Sequence, residues 1–348
     1  MNEQNYKFDF CVVMGRFEPF HLGHKAIIDN ALTISNKVII LLGSQNKPRT
    51  IKNPFTVTER ILMMSSVYKN SPDIIFSGLN DYLYDDNKWA LETKEIIKNI
   101  ILSENKNPDE CKIAISGNKA DVSSWYIDMF PEFDYIFPEH IPCTIHSTQI
   151  RDSLFKDDIK ISYKNIQKYV PSEVLLYIES FKKTSDFYNL VNEYAYIDKY
   201  KKSWEKAPYA PTFVTVDIFL IQSDNVLLIQ RKDCPGKNLY ALPGGFLNQN
   251  ELIIDGAIRE LHEETKLQVP ITVLKRNIKE IRVFDAIDRS LRGRTITHVV
   301  YIELPNGDLP IVEGLDDAIR AFFMPLNLLR SKDFFEDHFE IIQSLLEL

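Results

Sequence analysis

Two largely apolar runs near the start of the chain limit the folds that its first half can adopt. Residues 8–14 and 37–43 lack the polar alternation of half-exposed strands, and a helical pattern near 23–35 lies between them. Strands buried on both faces are typical of parallel sheets, which need a crossover helix. We therefore predict a βαβ unit in an α/β domain. The segments that extend it are apolar runs at 74–76 and 112–116 and helical patterns near 56–69 and 86–103.

The second half has a different order of elements. It starts with alternating strands at 213–221 and 226–231, separated by the turn residues Ser223-Asp224-Asn225. A helix is predicted at 252–266. Later segments comprise strands at 280–285 and 295–304 and helical stretches near 315–322 and 334–347. This order predicts an α+β layout.

A Lys- and Tyr-rich stretch separates the two halves. Pro171-Ser172 can start a helix that runs to about Phe181, and the stretch after it ends at Pro208 and Pro211. A chain of 348 residues is too long for one ordinary core. The predicted organisation is a first domain over 1–183, a linker over 184–210 and a second domain over 211–348.

Composition excludes several classes of protein. The chain is 45% hydrophobic and 26% charged, which is the balance of a soluble globular protein. No apolar run approaches the ~20 residues that cross a bilayer, and Met1–Asn5 lack the features of a signal peptide. The four cysteines are scattered, and the net charge of −8 argues against nucleic acid as a partner. We expect a cytoplasmic protein without a membrane partner. A homo-oligomer is left open.

The first chemical motif joins the first strand to the first helix. It contains Gly15, Arg16, Phe17, His21 and His24. Ligands of open parallel sheets bind at the carboxyl ends of strands, where a helix N-terminus offers free N–H groups to phosphate. Glycines allow close approach of the backbone, and the imidazoles and the guanidinium can donate hydrogen bonds. The motif predicts phosphate binding, and the alternative is a capped helix with packed phenylalanines.

A second motif, Ser147-Thr148-Gln149-Ile150-Arg151, opens another helical stretch. Hydroxyl groups at a helix N-terminus, with an arginine one turn later, form a second end suited to phosphate. The alternative is an ordinary helix cap with Arg151 as a solvated charge. Alone, this motif does not decide between them.

Together the two motifs, about 120 residues apart, resemble the nucleotidyltransferase superfamily, and in particular the archaeal-type nicotinamide mononucleotide (NMN) adenylyltransferases. The segments 53–60, 117–121 and 123–126 fit the same subfamily, and the likeness covers about residues 6–182. It implies a Rossmann-like parallel sheet and adenylyl transfer from ATP to NMN, giving NAD and pyrophosphate. Mg²⁺ would shield the triphosphate.

The resemblance also implies roles for single residues. His21 and His24 would contact the ATP phosphates, Arg151 the β- and γ-phosphates, and Arg16 the α-phosphate. Ser147 and Thr148 would line the triphosphate end. His146 stands where the family usually has Ser. The further residues implied in ATP and NMN binding are Gly15, Phe17, Lys119, Asp121 and Trp125. Trp125 would stack on nicotinamide, or else it is a core residue.

The strongest motif begins at Gly244-Gly245. Glu251 follows, and then Arg259 with Glu260, Glu263 and Glu264, whose spacing of i, i+3 and i+4 puts them on one helix face. Clustered carboxylate oxygens suit Mg²⁺ or Mn²⁺, and a glycine loop lets the backbone approach them. The alternative is a solvated acidic face.

This segment resembles the Nudix box, with Lys266 where the family has a glycine in the left-handed conformation. The resemblance implies an α+β Nudix hydrolase in which Glu260, Glu263, Glu264 and the Gly244 carbonyl bind metal. Gly245, Glu251 and Arg259 would support them. The general base would be Glu263 or an acid of the 313–317 loop.

An arginine-rich loop over 284–294 resembles that of ADP-ribose pyrophosphatases, and Asp337-His338 fits the same group. Arg289 and Arg294 would bind a diphosphate, which gives hydrolysis of ADP-ribose to AMP and ribose 5-phosphate. The alternative is a solvated hairpin tip. Two other functions stay open: a Nudix domain that only senses ADP-ribose, and a transferase with another acceptor such as nicotinate mononucleotide.

Overall fold

The computed structural model describes residues 6–117, 126, 128–138, 146–156 and 166–347. Lys119, Asp121 and Trp125, all predicted site residues, lie outside the described residues. The chain forms two compact units, Met1–Asn192 and Glu193–Leu348. Each unit is built around its own sheet, as the order of elements predicts.

The first unit contains a five-stranded parallel sheet in the order β3-β2-β1-β4-β5. Its strands are β1 (Phe8–Gly15), β2 (Ser35–Leu42), β3 (Ile74–Gly78), β4 (Ile113–Ser116) and β5 (Asp134–Ile136). The order reverses direction between β1 and β4, and such a reversal leaves a crevice at the carboxyl ends of the strands. The α/β, Rossmann-like parallel sheet predicted from the two apolar runs is confirmed.

Helices cover this sheet because their apolar residues recur at helical spacing. The helices described in the first half are α1 (Leu22–Ile34), α2 (Val57–Val67), α3 (Asp86–Ser103), α4 (Ser147–Phe155) and α5 (Ser172–Phe181). In α3, Ala90, Ile97 and Ile101 pack against Val12 and Ile39 of the sheet. At the start of α2, Thr56 and Glu59 satisfy each other's backbone N–H groups.

The predicted linker is largely helical. Helix α6 (Ser185–Trp204) fills most of the 184–210 stretch, and the division between the two units falls within it, after Asn192. Every helix in the described part of the chain is too short or too polar to span a membrane. Among the described cysteines, Cys11, Cys111 and Cys234 are free thiols.

The second unit contains a mixed seven-stranded sheet in the order β10-β11-β6-β7-β12, with β8 paired to β7 and β9 to β6. Its strands are β6 (Phe213–Gln222), β7 (Asn225–Arg231), β8 (Tyr240–Ala241), β9 (Gly244–Phe246), β10 (Ile278–Phe284), β11 (Thr295–Glu303) and β12 (Ala318–Pro325). Strands β6 and β11 are parallel, and the other pairs are antiparallel. Together with the helices that follow, this sheet confirms the predicted α+β layout.

Besides the last residues of α6, the α-helices described in this unit are α7 (Ile253–Thr265), α8 (Ile271–Arg276) and α9 (His338–Leu346). Helix α7 buries Ala257, Ile258 and Leu261 against Val216 and Ile218 of β6. Because a helix turns every 3.6 residues, Glu264 falls on this buried stripe, whereas Glu260 is partly buried and Glu263 is half exposed. The core thus fixes which way the acidic residues are presented.

The predicted helix near 315–322 is wrong, because β12 runs through it. Asp316 has a positive φ of 52°, which interrupts a helix at its first turn. The residues after it pair antiparallel with β7, from Ala318 opposite Arg231 to Pro325 opposite Asn225. Pairing with the open edge of β7 outweighs the helix propensity of the alanines here.

Helix α7 ends at Lys266, which adopts the left-handed conformation (φ 47°, ψ 28°) that the missing glycine predicts. Its N–H donates to the His262 carbonyl, and its ammonium forms an exposed 3.0 Å ion pair with Glu313. A side chain with a Cβ is strained in this conformation by about 1 kcal/mol.

Lys266→Gly is therefore expected to raise the free energy of unfolding of the second unit by about 0.5–1 kcal/mol, since an exposed ion pair contributes little. Denaturant unfolding measures this. Lys266→Ala is the control, because it removes the ion pair and keeps the strain. Equal stability of the two variants would show that backbone strain at this position is unimportant.

Candidate active sites

The first site lies at the carboxyl end of β1, at the reversal in strand order. The loop after Gly15 packs on itself, because a Cβ on Gly15 would meet the Phe17 ring at 3.2 Å. Phe17 has a positive φ of 54°, and its ring lies edge-on to His24 with centroids 4.9 Å apart. Glycine at position 15 thus lets the Phe17 ring reach His24 and hold it.

The two histidines cap helix α1 and each other. The His21 Nδ1 accepts hydrogen bonds from the N–H groups of Gly23 (3.1 Å) and His24 (3.4 Å). The His24 Nδ1 accepts from the His21 N–H (3.3 Å), and the rings stack with centroids 3.6 Å apart. The sequence analysis treated helix capping and phosphate binding as alternatives for His21 and His24. The structure shows that the two histidines cap the helix, and their other ring nitrogens stay available for phosphate.

Capping determines which nitrogen carries the proton. Because both Nδ1 atoms accept hydrogen bonds, each neutral ring carries its proton on Nε2. Burial, and to a lesser extent His146, lowers the pKa of His21 to about 4. Burial and the neighbouring His21 lower the pKa of His24 well below its ordinary value. At neutral pH the pair therefore presents two neutral N–H donors.

The pH dependence of stability tests this protonation state. The pKa of His21 is 6.5 ordinarily and about 4 in the fold. The neutral ring therefore makes its full contribution to the free energy of unfolding above pH 6.5, and this contribution is lost as pH falls toward 4. We expect wild type to lose about 2 kcal/mol more than His21→Asn between pH 7.5 and 5. Asparagine caps a helix and does not titrate. Unfolding in denaturant at both pH values measures the difference, and equal losses would contradict it.

Helix α4 brings the second motif to this loop. The Arg151 guanidinium is buried and donates to the Glu18 carbonyl (2.8 Å) and the Thr148 hydroxyl (3.1 Å). The Ser147 hydroxyl donates to the Pro19 carbonyl (3.4 Å). Burial and the charge of Arg16 lower the pKa of Arg151 to about 10, so it stays protonated at neutral pH. The two motifs, far apart in sequence, form one basic cluster.

Arg16 adds a second cation to the cluster. Its Nη1 is buried and has no hydrogen-bond partner among the residues that the structure describes. The charges of Arg16 and Arg151 repel each other, as the lowered pKa of Arg151 reflects. A buried donor without an acceptor is costly, and an anion bound here would satisfy it and reduce the repulsion.

Sequence reasoning missed the pair that holds this loop in place. Arg60 is fully buried, and its Nε lies 3.2 Å from the Glu18 carboxylate. Its Nη1 donates to the carbonyls of Arg16 (2.6 Å) and Gly43 (2.7 Å). The other Glu18 oxygen accepts from the Phe55 N–H (3.0 Å). Glu18 lies within the first motif, between Phe17 and His21, and Arg60 is the last residue of the segment 53–60. A charged residue beside apolar ones in each segment was the signal that could have identified the pair.

The second site lies between β9 and α7. Glu264 is buried, and its carboxylate accepts a hydrogen bond from the Gly244 N–H at 2.9 Å. The Glu260 carboxylate lies 2.5 Å from where a Cβ on Gly245 would stand. A Cβ on Gly244 would meet the Val216 carbonyl at 2.3 Å. Glycine is required at both positions for the backbone to meet the two glutamates.

Arg259 holds three glutamates around it. It contacts Glu251 at 2.6 Å, and its Nη1 lies 2.8 Å from both Glu260 and Glu263. The hydrogen bonds from Arg259 are the main cause of the lowered pKa of Glu251. Arg259 therefore brings the carboxylates of Glu251, Glu260 and Glu263 together, and its supporting role in catalysis stays a prediction.

The donors here fit a divalent cation. Burial, and to a lesser extent repulsion from Glu260, raises the pKa of Glu264 to about 8, and burial also raises the pKa of Glu260. In the described ranges, no three His, Cys, Asp or Glu side chains already converge as a metal cage, and Arg259 occupies oxygens of Glu260 and Glu263. A hard cation would relieve the buried negative charge and would compete with Arg259.

The arginines of the 284–294 loop are bound within the domain. Arg289 and Asp337 are buried and form two 2.9 Å hydrogen bonds. Arg294 donates to the carbonyls of Asp285 and Ala286. Next to them, the His338 Nδ1 accepts from the Leu242 N–H at 3.1 Å, just before the glycine pair. Arg289 and Asp337 thus brace this loop, and direct contact of Arg289 or Arg294 with substrate stays a prediction.

Comparisons with known proteins divide the chain in the same way. Residues 12–153 match the family described as cytidylyltransferase-like, and residues 211–345 match the NUDIX domain. A nicotinamide/nicotinic acid mononucleotide adenylyltransferase from Acinetobacter baylyi is 31% identical over 191 residues, which are 54% of this chain and 95% of that protein. An ADP-ribose pyrophosphatase from Methanocaldococcus jannaschii is 35% identical over 135 residues, which are 39% of this chain and 73% of that protein.

Two solved structures of a single protein match both halves at once, and one of them contains ligands. It is a bifunctional NMN adenylyltransferase/ADP ribose pyrophosphatase from Francisella tularensis, complexed with AMP and a manganese ion. The likeness has a TM-score of 0.87 at 36% identity and covers 98% of this chain and 99% of the other. By sequence and by fold, the chain belongs to the family of bifunctional NMN adenylyltransferase/ADP-ribose pyrophosphatases.

Proposed function

We propose that this enzyme carries out two reactions of NAD metabolism. The first unit transfers the adenylyl group of ATP to NMN, which gives NAD and pyrophosphate. The second unit hydrolyses ADP-ribose to AMP and ribose 5-phosphate. The observation that supports the first reaction best is the basic cluster: two neutral imidazole donors beside the Arg16 and Arg151 guanidinium groups, at the carboxyl end of β1.

In the proposed transfer, the 5′-phosphate of NMN attacks the α-phosphorus of ATP in line, and pyrophosphate leaves. The Nε2–H groups of His21 and His24 donate to phosphate oxygens without supplying charge or taking up a proton. Arg151 stabilises the charge that develops on the leaving pyrophosphate, and Arg16 stabilises the α-phosphate. Mg²⁺ that accompanies ATP would shield the triphosphate. No protein nucleophile is required, because positioning and charge stabilisation suffice.

The remaining predicted residues take places around this cluster. Ser147 and Thr148 line the triphosphate end, where their hydroxyl groups already contact the loop and Arg151. Gly15 and Phe17 shape the loop and hold His24. Lys119, Asp121 and Trp125 bind the nucleotides from a segment outside the described residues.

In the proposed hydrolysis, water attacks the diphosphate of ADP-ribose. Glu260, Glu263, Glu264 and the Gly244 carbonyl would hold the divalent cation, Mg²⁺ or Mn²⁺, which would neutralise the diphosphate and activate the water. Gly245, Glu251 and Arg259 keep these groups in place. Glu263 is our choice as general base, since Arg259 holds its carboxylate beside that of Glu260, where the cation would bind, and an acid of the 313–317 loop is the alternative.

We place both activities in the cytoplasm, with nucleotides as the partners. We keep 1–183 and 211–348 as the functional domains and 184–210 as the connecting segment. Helix α6 occupies most of that segment, and its last residues belong to the second compact unit.

Assays of the purified chain test the two reactions separately. With ATP, NMN and Mg²⁺ it should release NAD and pyrophosphate, and with ADP-ribose and Mg²⁺ it should release AMP and ribose 5-phosphate. Chromatography of the products measures both. No NAD at saturating substrate would falsify the first proposal. Formation of a different dinucleotide from nicotinate mononucleotide alone would reassign the acceptor, and binding of ADP-ribose without hydrolysis would favour a sensor.

A further inference from the structure

Strand β10 lies at one edge of the second sheet. It pairs antiparallel with β11, from Glu280 opposite Tyr301 to Phe284 opposite Thr297, and in the described ranges no strand pairs with its other side. The register shifts between Ile278 and Glu280 and is regular from Glu280 onward. Every second N–H and C=O of an edge strand points away from its own sheet. The regular part of β10 therefore offers backbone donors and acceptors to a further strand.

The side chains of this edge alternate between apolar and charged. Ile281 and Val283 are 42% and 49% exposed. Between and before them stand Arg282 and Glu280, which point to the opposite face because side chains alternate along a strand. The guanidinium of Arg282 lies 2.7 Å from the Glu280 carboxylate. An open strand edge with two exposed β-branched side chains favours association with another strand.

The charges along β10 are complementary to those of a second β10. When two copies run antiparallel with Ile281 opposite Ile281, Glu280 of each copy faces Arg282 of the other. Directly opposite charges, and facing β-branched side chains, both stabilise an antiparallel pair. Centring the pair on Arg282 would place two arginines opposite each other, and centring it on Glu280 would place two glutamates opposite each other. The charges thus select one register, which has twofold symmetry.

We propose that two copies of this chain associate through β10, antiparallel and centred on Ile281, so that their second sheets join into one continuous sheet. Backbone hydrogen bonds between the two edges, two Glu280–Arg282 pairs and the contact between the two Ile281 side chains stabilise the dimer. A strand of seven residues buries much less surface than a permanent interface. The dimer should therefore form reversibly, at micromolar protein concentrations.

Two charge variants test the dimer and its register. Sedimentation velocity of wild type at tens of micromolar should show a monomer–dimer equilibrium. Glu280→Lys places a lysine opposite Arg282, and Arg282→Glu places a glutamate opposite Glu280, so each variant alone should raise the Kd of the dimer at least about 10-fold. An equimolar mixture of the two variants should recover the wild-type Kd, because every facing pair in the mixed dimer again joins opposite charges.

Recovery in the mixture can arise only between chains, since neither variant regains its own Glu280–Arg282 pair. The control is Lys202→Glu, which breaks an exposed ion pair with Asp198 on α6 and should keep the wild-type Kd. A monomer at all concentrations in wild type would overturn the proposal. A wild-type Kd in both charge variants would also overturn it, because the copies would then associate through another surface.

Crosslinking keeps the test decisive if Arg282→Glu does not fold, since Arg282 also donates to the Ser344 carbonyl at 2.8 Å. Ile281→Cys should form a disulfide between two copies on oxidation with diamide, because the two cysteines face each other at the twofold axis. Val283→Cys is the matched variant and should not, since position 283 faces Lys279 of the second copy. Equal crosslinking of the two variants, measured by non-reducing electrophoresis, would rule out the proposed register.

Discussion

Replacing Glu264 with glutamine is expected to lower ADP-ribose hydrolysis at least about 100-fold and to leave NAD formation unchanged. Glutamine keeps an oxygen that can accept the Gly244 N–H, so the loop should keep its 2.9 Å contact with α7. The change removes a negative charge from the proposed cation site. Product release from ADP-ribose, measured across a range of Mn²⁺ concentrations, gives the result.

Glu303→Gln is the matched control, because Glu303 is a half-exposed glutamate that pairs with Lys279 on β10. It should hydrolyse ADP-ribose at the wild-type rate. Wild-type rates in Glu264→Gln would remove Glu264 from the cation site. If wild type hydrolyses ADP-ribose and Glu264→Gln only binds it, the domain is a catalyst. A sensor would bind ADP-ribose without hydrolysing it even in the wild-type form.

Replacing Arg151 with alanine is expected to lower NAD formation about 100- to 1,000-fold, the usual cost of removing one preorganised donor from a developing charge. The guanidinium contacts both the Glu18 carbonyl and the Thr148 hydroxyl, so its position is fixed before substrate binds. ADP-ribose hydrolysis should be unchanged, because its site is built in the other unit. Steady-state rates of both reactions on the same preparation measure the contrast.

Arg151→Lys separates charge from geometry. Lysine keeps the positive charge but loses the planar fork, so we expect activity between that of wild type and alanine. Lys25→Ala is the control, since Lys25 is a partly exposed cation on α1 that pairs with Asp29. Loss of both reactions in Arg151→Ala would indicate misfolding, and full NAD formation in that variant would exclude Arg151 from the transfer.

Local patterns in the sequence predicted most of the two folds. The apolar runs at 8–14 and 37–43 became β1 and β2, and the pattern at 86–103 became α3 with the same bounds. The glycine position of the Nudix box predicted the left-handed conformation of Lys266. These features depend on neighbours within a few residues, which a pattern can capture. The strand over 318–325 was missed because it depends on the edge of β7, a partner far away in sequence.

The sites show the same limit. The motifs identified the histidines, whose spacing places them at the start of a helix. They also identified the glutamates, whose spacing places them on neighbouring positions of a helix surface. They did not show that Arg289 is bound to Asp337, 48 positions later, or that Arg60 reaches Glu18. Nor did the sequence indicate that Trp204, near the end of the Lys- and Tyr-rich stretch, packs on Phe213. Ion pairs and ring contacts between distant segments depend on the tertiary fold.

The capping of the two histidine rings has a consequence for selectivity. With both Nδ1 atoms already occupied by backbone N–H groups, neither ring can rotate or turn over without breaking the start of α1. The only polar edge left to a ligand is an N–H, and so the pair can satisfy an oxygen but has nothing to offer an amine or a protonated group. The enzyme should therefore discriminate among analogues by the atom placed against the two rings, accepting a phosphate oxygen and rejecting an amino group in the same position.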